Sequence, residues 1–231
     1  MIYAIGDLHF DPYGDKPMDV FGPTWANHKA RIIEDWKAKV TDDDVVLVAG
    51  DISWALKLDE ALADLKTLDT LPGTKALIRG NHDYWWSSLA KMNDLKCRSL
   101  VFIQNNAYTF GDVSIVGTRG WISRDMSEFT ADDEKIYKRE LIRLENSLKA
   151  ARAERIIAMI HYPPYNMDFS NNDFSELLAA YHVDTVVYGH LHAEGHRQIS
   201  EVPRLGVNYQ CVSADYVDFK LQEVTWNGKL K

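Results

Sequence analysis

The chain has 231 residues, 46% hydrophobic and 26% charged, with no biased tract. That suits one large α/β domain able to bury roughly 70% of its unfolded surface. Its 34 acidic against 26 basic residues, a formal net charge of −8, argue against a protein that holds long nucleic acid on a broad cationic face. A small phosphorylated substrate is still allowed, because bound metal would supply concentrated positive charge. Cys97 and Cys211 lack the spacing of a disulfide scaffold or a metal site and read as packed thiols of a reducing compartment. Met1 runs straight into an apolar strand, and no apolar run nears the ~20 residues of a membrane span, so a cytoplasmic protein without a signal peptide is expected.

In chain order, the apolar run Ile2 to Ile5 reads as a buried strand, followed by a Gly- and Pro-rich loop from Phe10 to Pro23. A helix is expected over Trp25 to Lys39, with Ile32, Ile33 and Trp36 on one face. Val45 to Ala49 reads as a strand. A second helix should run from Leu58 to Leu71, with Leu58, Leu62, Leu65 and Leu68 at helical spacing and Pro72-Gly73 as its stop. Ala76 to Ile78 is another strand. From Leu100 the period shortens, and Gly111-Asp112 between Ala107–Phe110 and Val113–Thr118 predicts a hairpin. After the polar and aromatic segment Arg119 to Phe129, Thr130 and Asp133 form a capping-box pattern. The helix they open should reach about Ala153, with Ile136, Leu141, Leu144 and Leu148 inward. Strand Ile156 to Ile160, helix Phe174 to Tyr181 and strand Thr185 to Tyr188 follow. The tail from Leu205 to Trp226 reads as two or three antiparallel strands, which makes the sheet mixed.

Five of these strands are each followed at once by a polar cluster: Asp7-Leu8-His9, Gly50-Asp51, Gly80-Asn81-His82-Asp83, His161, and Gly189-His190-Leu191-His192. The carboxyl edge of a mostly parallel sheet is where α/β folds assemble their sites, so residues far apart in sequence can converge there. Asp7, His9, Asp51, Asn81, His161, His190 and His192 offer oxygen and imidazole nitrogen but no thiolate. Seven donors are too many for one tetrahedral zinc. They suit two metals sharing a carboxylate, with manganese, iron or zinc favoured by the mixed ligation. Such a pair, ~3.5–4 Å apart, can clamp an oxyanion for in-line displacement. Residues two apart, as in Asp7-x-His9 and His190-x-His192, can share one side of an extended segment. His82, beside Asn81, is a candidate general acid. Singly the motifs are weak: Asp7-x-His9 occurs commonly as a surface turn, and Asp51 could cap a following helix. Together they form a set.

In order and spread, residues 7 to 192, these blocks resemble the signature of the calcineurin-like metallophosphoesterases. The resemblance implies an α/β fold, a four-layer αββα sandwich of two mixed β-sheets flanked by helices, with the metal site at the strand C-terminal ends. One domain over residues 1–231 is expected. By the same resemblance Asp7, His9 and His192 bind one metal, Asn81, His161 and His190 the other, and Asp51 bridges them. It further implies hydrolysis of a phosphomonoester or phosphodiester by metal-bound hydroxide, with His82 stabilising the transition state and protonating the leaving oxygen. The sequence departs from the family at one place. Many members carry an acid three residues beyond the bridging Asp, where this chain has Trp54, and Asp83 is the nearest replacement in sequence. No Arg follows as in protein Ser/Thr phosphatases. A metallophosphoesterase-like scaffold kept for protein binding is the alternative, against which the complete donor set speaks. The resemblance leaves the substrate and the oligomeric state open.

Several residues lie outside the blocks. His28 and His182 read as ordinary helix-surface or helix-end residues, and His196 either approaches the cleft rim or faces solvent. Arg119 and Arg124, flanking Trp121, form either a phosphate-facing cap or an exposed loop. Tyr162 and Tyr165, around Pro163-Pro164, line the cleft or pack. Trp85 and Trp86 are expected to pack.

Overall fold

In the computed structural model, which describes residues 1–225, the apolar runs become short strands whose side chains alternate between two faces. The elements are β1 (Ile2–Ile5), α1 (His28–Lys39), β2 (Val45–Val48), α2 (Leu58–Asp69), β3 (Thr74–Leu77), α3 (Leu89–Asn93), β4 (Leu100–Phe102), β5 (Tyr108–Phe110), β6 (Val113–Thr118), α4 (Ala131–Lys149), β7 (Arg155–Ile160), α5 (Asp173–Ala180), β8 (Thr185–Tyr188), β9 (Asn208–Cys211) and β10 (Gln222–Glu223). They form two five-stranded sheets, in the orders β10-β1-β2-β3-β4 and β5-β6-β7-β8-β9. Pairing is parallel except at one edge of each sheet, where β10 and β5 run antiparallel.

The alternation builds three apolar layers. Ile2 and Ala4 of β1 and Val45 and Leu47 of β2 meet Ile157 and Met159 of β7 and Val187 of β8 between the sheets. The opposite faces of β1 and β2 (Ile5, Val46, Val48) pack on Ile32 and Trp36 of α1 and Leu65 and Leu68 of α2. In the second sheet Ala158, Ile160 and Val186 pack outward on Leu144, Leu148, Phe174 and Leu178. Each aliphatic side chain so buried contributes about 1.5–3 kcal/mol. The result is the expected αββα sandwich of two mixed sheets flanked by helices.

Four sequence expectations need correction. The first helix starts at His28 rather than Trp25, because Pro23–Trp25 forms a separate 3-10 turn and Asn27 takes a left-handed conformation (φ 55°). The expected capping box of Thr130 and Asp133 opens α4, but the helix stops at Lys149. Its buried stripe is Tyr137, Glu140, Leu144, Ser147 and Leu148, with Ile136 and Leu141 only half-buried. Polar anchors set that rotation: Glu140 accepts from Thr118 Oγ1 at 2.7 Å, and Ser147 Oγ bonds Gly117 N at 2.9 Å and Asn106 O at 2.6 Å. α3, capped by Ser88, was not expected. The tail does not form an antiparallel unit of its own: β9 adds to β8 in parallel, while β10 adds to β1 in the other sheet. The long connection from β8 through the 3-10 turn Ala193–Gln198 permits that crossover. Trp226 lies outside the described residues. Among the described residues no helix is long and apolar enough to cross a membrane.

Candidate metal centre

The parallel strands β1, β2, β3, β7 and β8 release their chains at one edge, and the five clusters meet there. Asp7, His9, Asp51 and His190 all adopt positive φ (57°, 44°, 50° and 75°), a conformation uncommon outside glycine. Such strain gathers at functional sites, where surrounding structure holds it in place. Here backbone bonds lock it: Asp7 N donates to Gly50 O at 2.9 Å and His9 N to Asp51 O at 2.9 Å. Two glycines permit the approach of the blocks. A Cβ at Gly80 would overlap the Asp51 carboxylate and backbone, and one at Gly189 would come within 2.5 Å of Asp7 Oδ2.

All seven predicted donors come together, in two overlapping groups. On one side His192 Nε2 lies 3.5 Å from Asp7 Oδ1, and Asp7, His9 and His192 share a small volume. On the other, Asn81 Oδ1 lies 2.7 Å from His161 Nε2 and 3.0 Å from His190 Nδ1. Asp51 Oδ2 stands between them, 3.7 Å from His9 Nε2 and 3.5 Å from His161 Nε2. Asp51 caps no helix: its Oδ1 accepts from His82 N at 2.8 Å, and α2 begins only at Leu58. His161 Nδ1 faces the Ala49 carbonyl at 2.9 Å, which orients its other nitrogen toward Asn81.

The electrostatics describe a donor set suited to cations. Asp7 and Asp51 are essentially fully buried. Burial works against the Asp7 charge, but His192, His161 and His9 hold its carboxyl well below the usual range. Asp51 goes the other way: burial and repulsion from Asp83 and Asp7 push it well above. Burial drives His9 well below the ordinary imidazole value and His190 down to about 3. Partial burial works the same way on His192, yet Asp7 and Asp215 carry it up to about 10. Its Nε2 atom is buried with no hydrogen-bond partner among the described residues. Two crowded carboxyls whose repulsion a cation would relieve, the neutral imidazoles of His9 and His190, and the unpartnered Nε2 of His192 fit the requirements of a transition-metal pair.

Around the donors the structure decides points the sequence left open. Trp54 stacks on His9 (ring centroids 4.8 Å apart, planes at 23°) and leans on His82 at 4.7 Å. Asp83 does not reach the His82 side chain. It is buried and accepts from the backbone N–H groups of Ile52, Ser53 and Gly80 and from Trp85 Nε1, joining the second and third blocks. His82 is half-buried, and burial, then His161, lowers its pKa. His28 opens α1 with Nε2 3.2 Å from His9 O, so it supports the site rather than the surface. His182 is an exposed helix-end residue with φ 54°. Arg124 is neither cap nor loose loop, since it ties Glu134 of α4 to Asp173 of α5. Tyr162 both packs and lines the cleft, its ring 4.1 Å from that of His190. Trp121, Met126, Tyr162, Tyr165, Met167 and Leu191 surround a mostly apolar cavity of about 210 Å³ next to His190. Trp85 and Trp86 pack, as expected.

Sequence reasoning missed Asp215. Its Oδ1 lies 2.7 Å from His192 Nδ1, and its Oδ2 accepts from Ala193 N and pairs with His196 Nε2 at 3.2 Å. His196 therefore sits at the rim. Asp215 follows β9 just as the other clusters follow their strands, and that pattern was the available signal.

The fold and the site define a class: the chain belongs to the calcineurin-like phosphoesterases, whose family model matches residues 1–194. Among solved structures it is similar in fold to a protein of unknown function, AQ665 from Aquifex aeolicus. That likeness has 14% sequence identity and a TM-score of 0.51, covering 96% of this chain and 94% of that one. No curated protein gives a significant match.

Proposed function

We propose that the protein hydrolyses a small phosphomonoester or phosphodiester at a centre of two divalent transition metals, manganese, iron or zinc. The observation that carries this reading is Asp51 Oδ2, set between an imidazole of each donor group at 3.7 and 3.5 Å. Asp7, His9 and His192 would hold one ion and Asn81, His161 and His190 the other, with Asp51 shared. Ions bound there supply Lewis-acid charge to phosphoryl oxygens and make water acidic enough to act as a nucleophile near neutral pH.

The chain's own residues do the rest. Asp215 fixes the tautomer and ring angle of His192. His82, half-buried and tied through its backbone to Asp51, donates the proton to the departing oxygen. The apolar cavity beside His190 receives the organic part of the ester and keeps water from that side.

Purified protein supplied with manganese should cleave a nitrophenyl phosphate ester, and Asp51→Asn should abolish cleavage by weakening both ion sites. Unchanged turnover in that variant would sink the mechanism. Elemental analysis separates the enzyme from a binding scaffold, which would hold no metal even after reconstitution.

A further inference from the structure

Beside the third block, three arginines gather around a single carboxylate. Arg79 directly precedes Gly80-Asn81, Arg119 follows β6, and Arg143 projects from α4. With Glu140, Thr118 and Gln104 they line a cavity of about 80 Å³. Glu140 is already saturated: it accepts from Thr118 Oγ1 at 2.7 Å, from Arg143 Nη1 at 2.7 Å and from Arg119 Nη2 at 3.2 Å. Arg79 takes no part in this network. Among the described residues it makes no hydrogen bond or ion pair, and its Nε is buried without a partner, as is the Nε of Arg119. The cavity therefore carries more positive charge than Glu140 can neutralise, and buried guanidinium N–H groups with nothing to donate to. Such an arrangement is costly unless an anion completes it.

The geometry points to a phosphate-binding pocket, taking a phosphoryl group other than the one that reacts at the metal centre. A planar guanidinium offers a fork of donors matched to phosphate oxygens, and here three forks face one space. The volume holds several water-sized groups, enough for one phosphoryl group. The pocket also adjoins the reaction site. Arg79 stands two residues from Asn81, and Arg119 O accepts at 3.0 Å from the backbone N of Tyr162, whose ring lies against His190. The Arg119 guanidinium lies 4.3 Å over the Trp121 ring, and Trp121 is also a wall of the apolar cavity. The phosphate could be a second phosphoryl group of the substrate or free phosphate. Only the first of these rests on the phosphoesterase reading.

The test uses the full chain and the variants Arg79→Gln and Arg79→Gln/Arg143→Gln. The Arg79 side chain has no partner among the described residues, so the single variant leaves the Glu140 network and folding intact. In metal-free, EDTA-treated protein, inorganic phosphate should raise the melting temperature of wild type and of Asp51→Asn alike. The arginine variants should bind it at least about tenfold more weakly. Absence of phosphate binding in wild type, or unaltered binding in the folded double variant, overturns the pocket. A second arm uses manganese-loaded protein and compares kcat/KM for an alcohol bisphosphate with that for its monophosphate. A loss of about tenfold in Arg79→Gln for the bisphosphate alone assigns the pocket to the substrate. An unchanged ratio alongside lost phosphate binding assigns it to free phosphate. If the phosphoesterase reading itself fails, wild type turns over neither substrate, while the metal-free result stands.

Discussion

Trp54 occupies the place where many relatives carry an acid, and its indole lies against both His9 and His82. The His82 imidazole is thus set by an aromatic face and by its own backbone bond to Asp51, with no carboxylate bonded to its ring among the described residues. If His82 delivers the leaving-group proton, His82→Ala should retain its metals and lose on the order of 10²–10⁴ in kcat for a poor leaving group. The loss should shrink for an ester whose leaving group needs no proton; equal losses across leaving groups would remove His82 from that role. Asp215 acts one step further out, through His192. Asp215→Asn keeps the shape but weakens the acceptor that orients the ring. Metal affinity should drop about 10–100-fold, read by competition with a chelating dye. Both residues illustrate what was legible: His82 stood inside a recognisable block, whereas Asp215 lay 23 positions from the histidine it serves.

At the level of elements, β1, β2 and β7 were plain in the sequence as continuous apolar runs, because both faces of each strand pack against other layers. The hairpin of β5 and β6 followed from Gly111-Asp112, an equally local signal. The phase of α4 was not legible. Its buried face includes Glu140 and Ser147, whose partners Thr118, Gly117 and Asn106 belong to other elements. Hydrophobic spacing cannot register a polar group that is buried because it is bonded. The N-terminus of α4, in contrast, is set by neighbouring residues: Thr130 Oγ1 accepts from Asp133 N, and Asp133 accepts in return from Thr130 N at 2.9 Å. Thr130→Ala should cost about 1 kcal/mol in urea unfolding and leave turnover per folded molecule unchanged. A change in kcat would mean that the α4 cap reaches the active centre.

For the whole molecule, ions held at the proposed centre would tie stability to metal. Asp7, His9, Asp51 and His161 are buried together at the joint of the two sheets, where Gly6 N also bonds Val212 O at 2.7 Å. Ions that bind the folded chain at a hundredfold above their Kd add about 2.7 kcal/mol each. Stripping them with a chelator should therefore lower the melting temperature by roughly 5–10 °C per ion for a domain of this size, reversibly on adding manganese. A melting temperature indifferent to chelation would argue that the centre binds no metal. The sequence by itself determined the strands that precede the five clusters, the seven candidate donors at their ends and the family. These are written in local periodicity, turn chemistry and ligand type, which act over a few residues. Only the tertiary structure decided that Asp215 holds His192, that Trp54 backs His82, that Asp83 joins two blocks, and that Arg79, without a partner among the described residues, shares a cavity with Glu140. Those relations arise when two packed sheets bring distant side chains within hydrogen-bonding reach, and no local pattern records that distance.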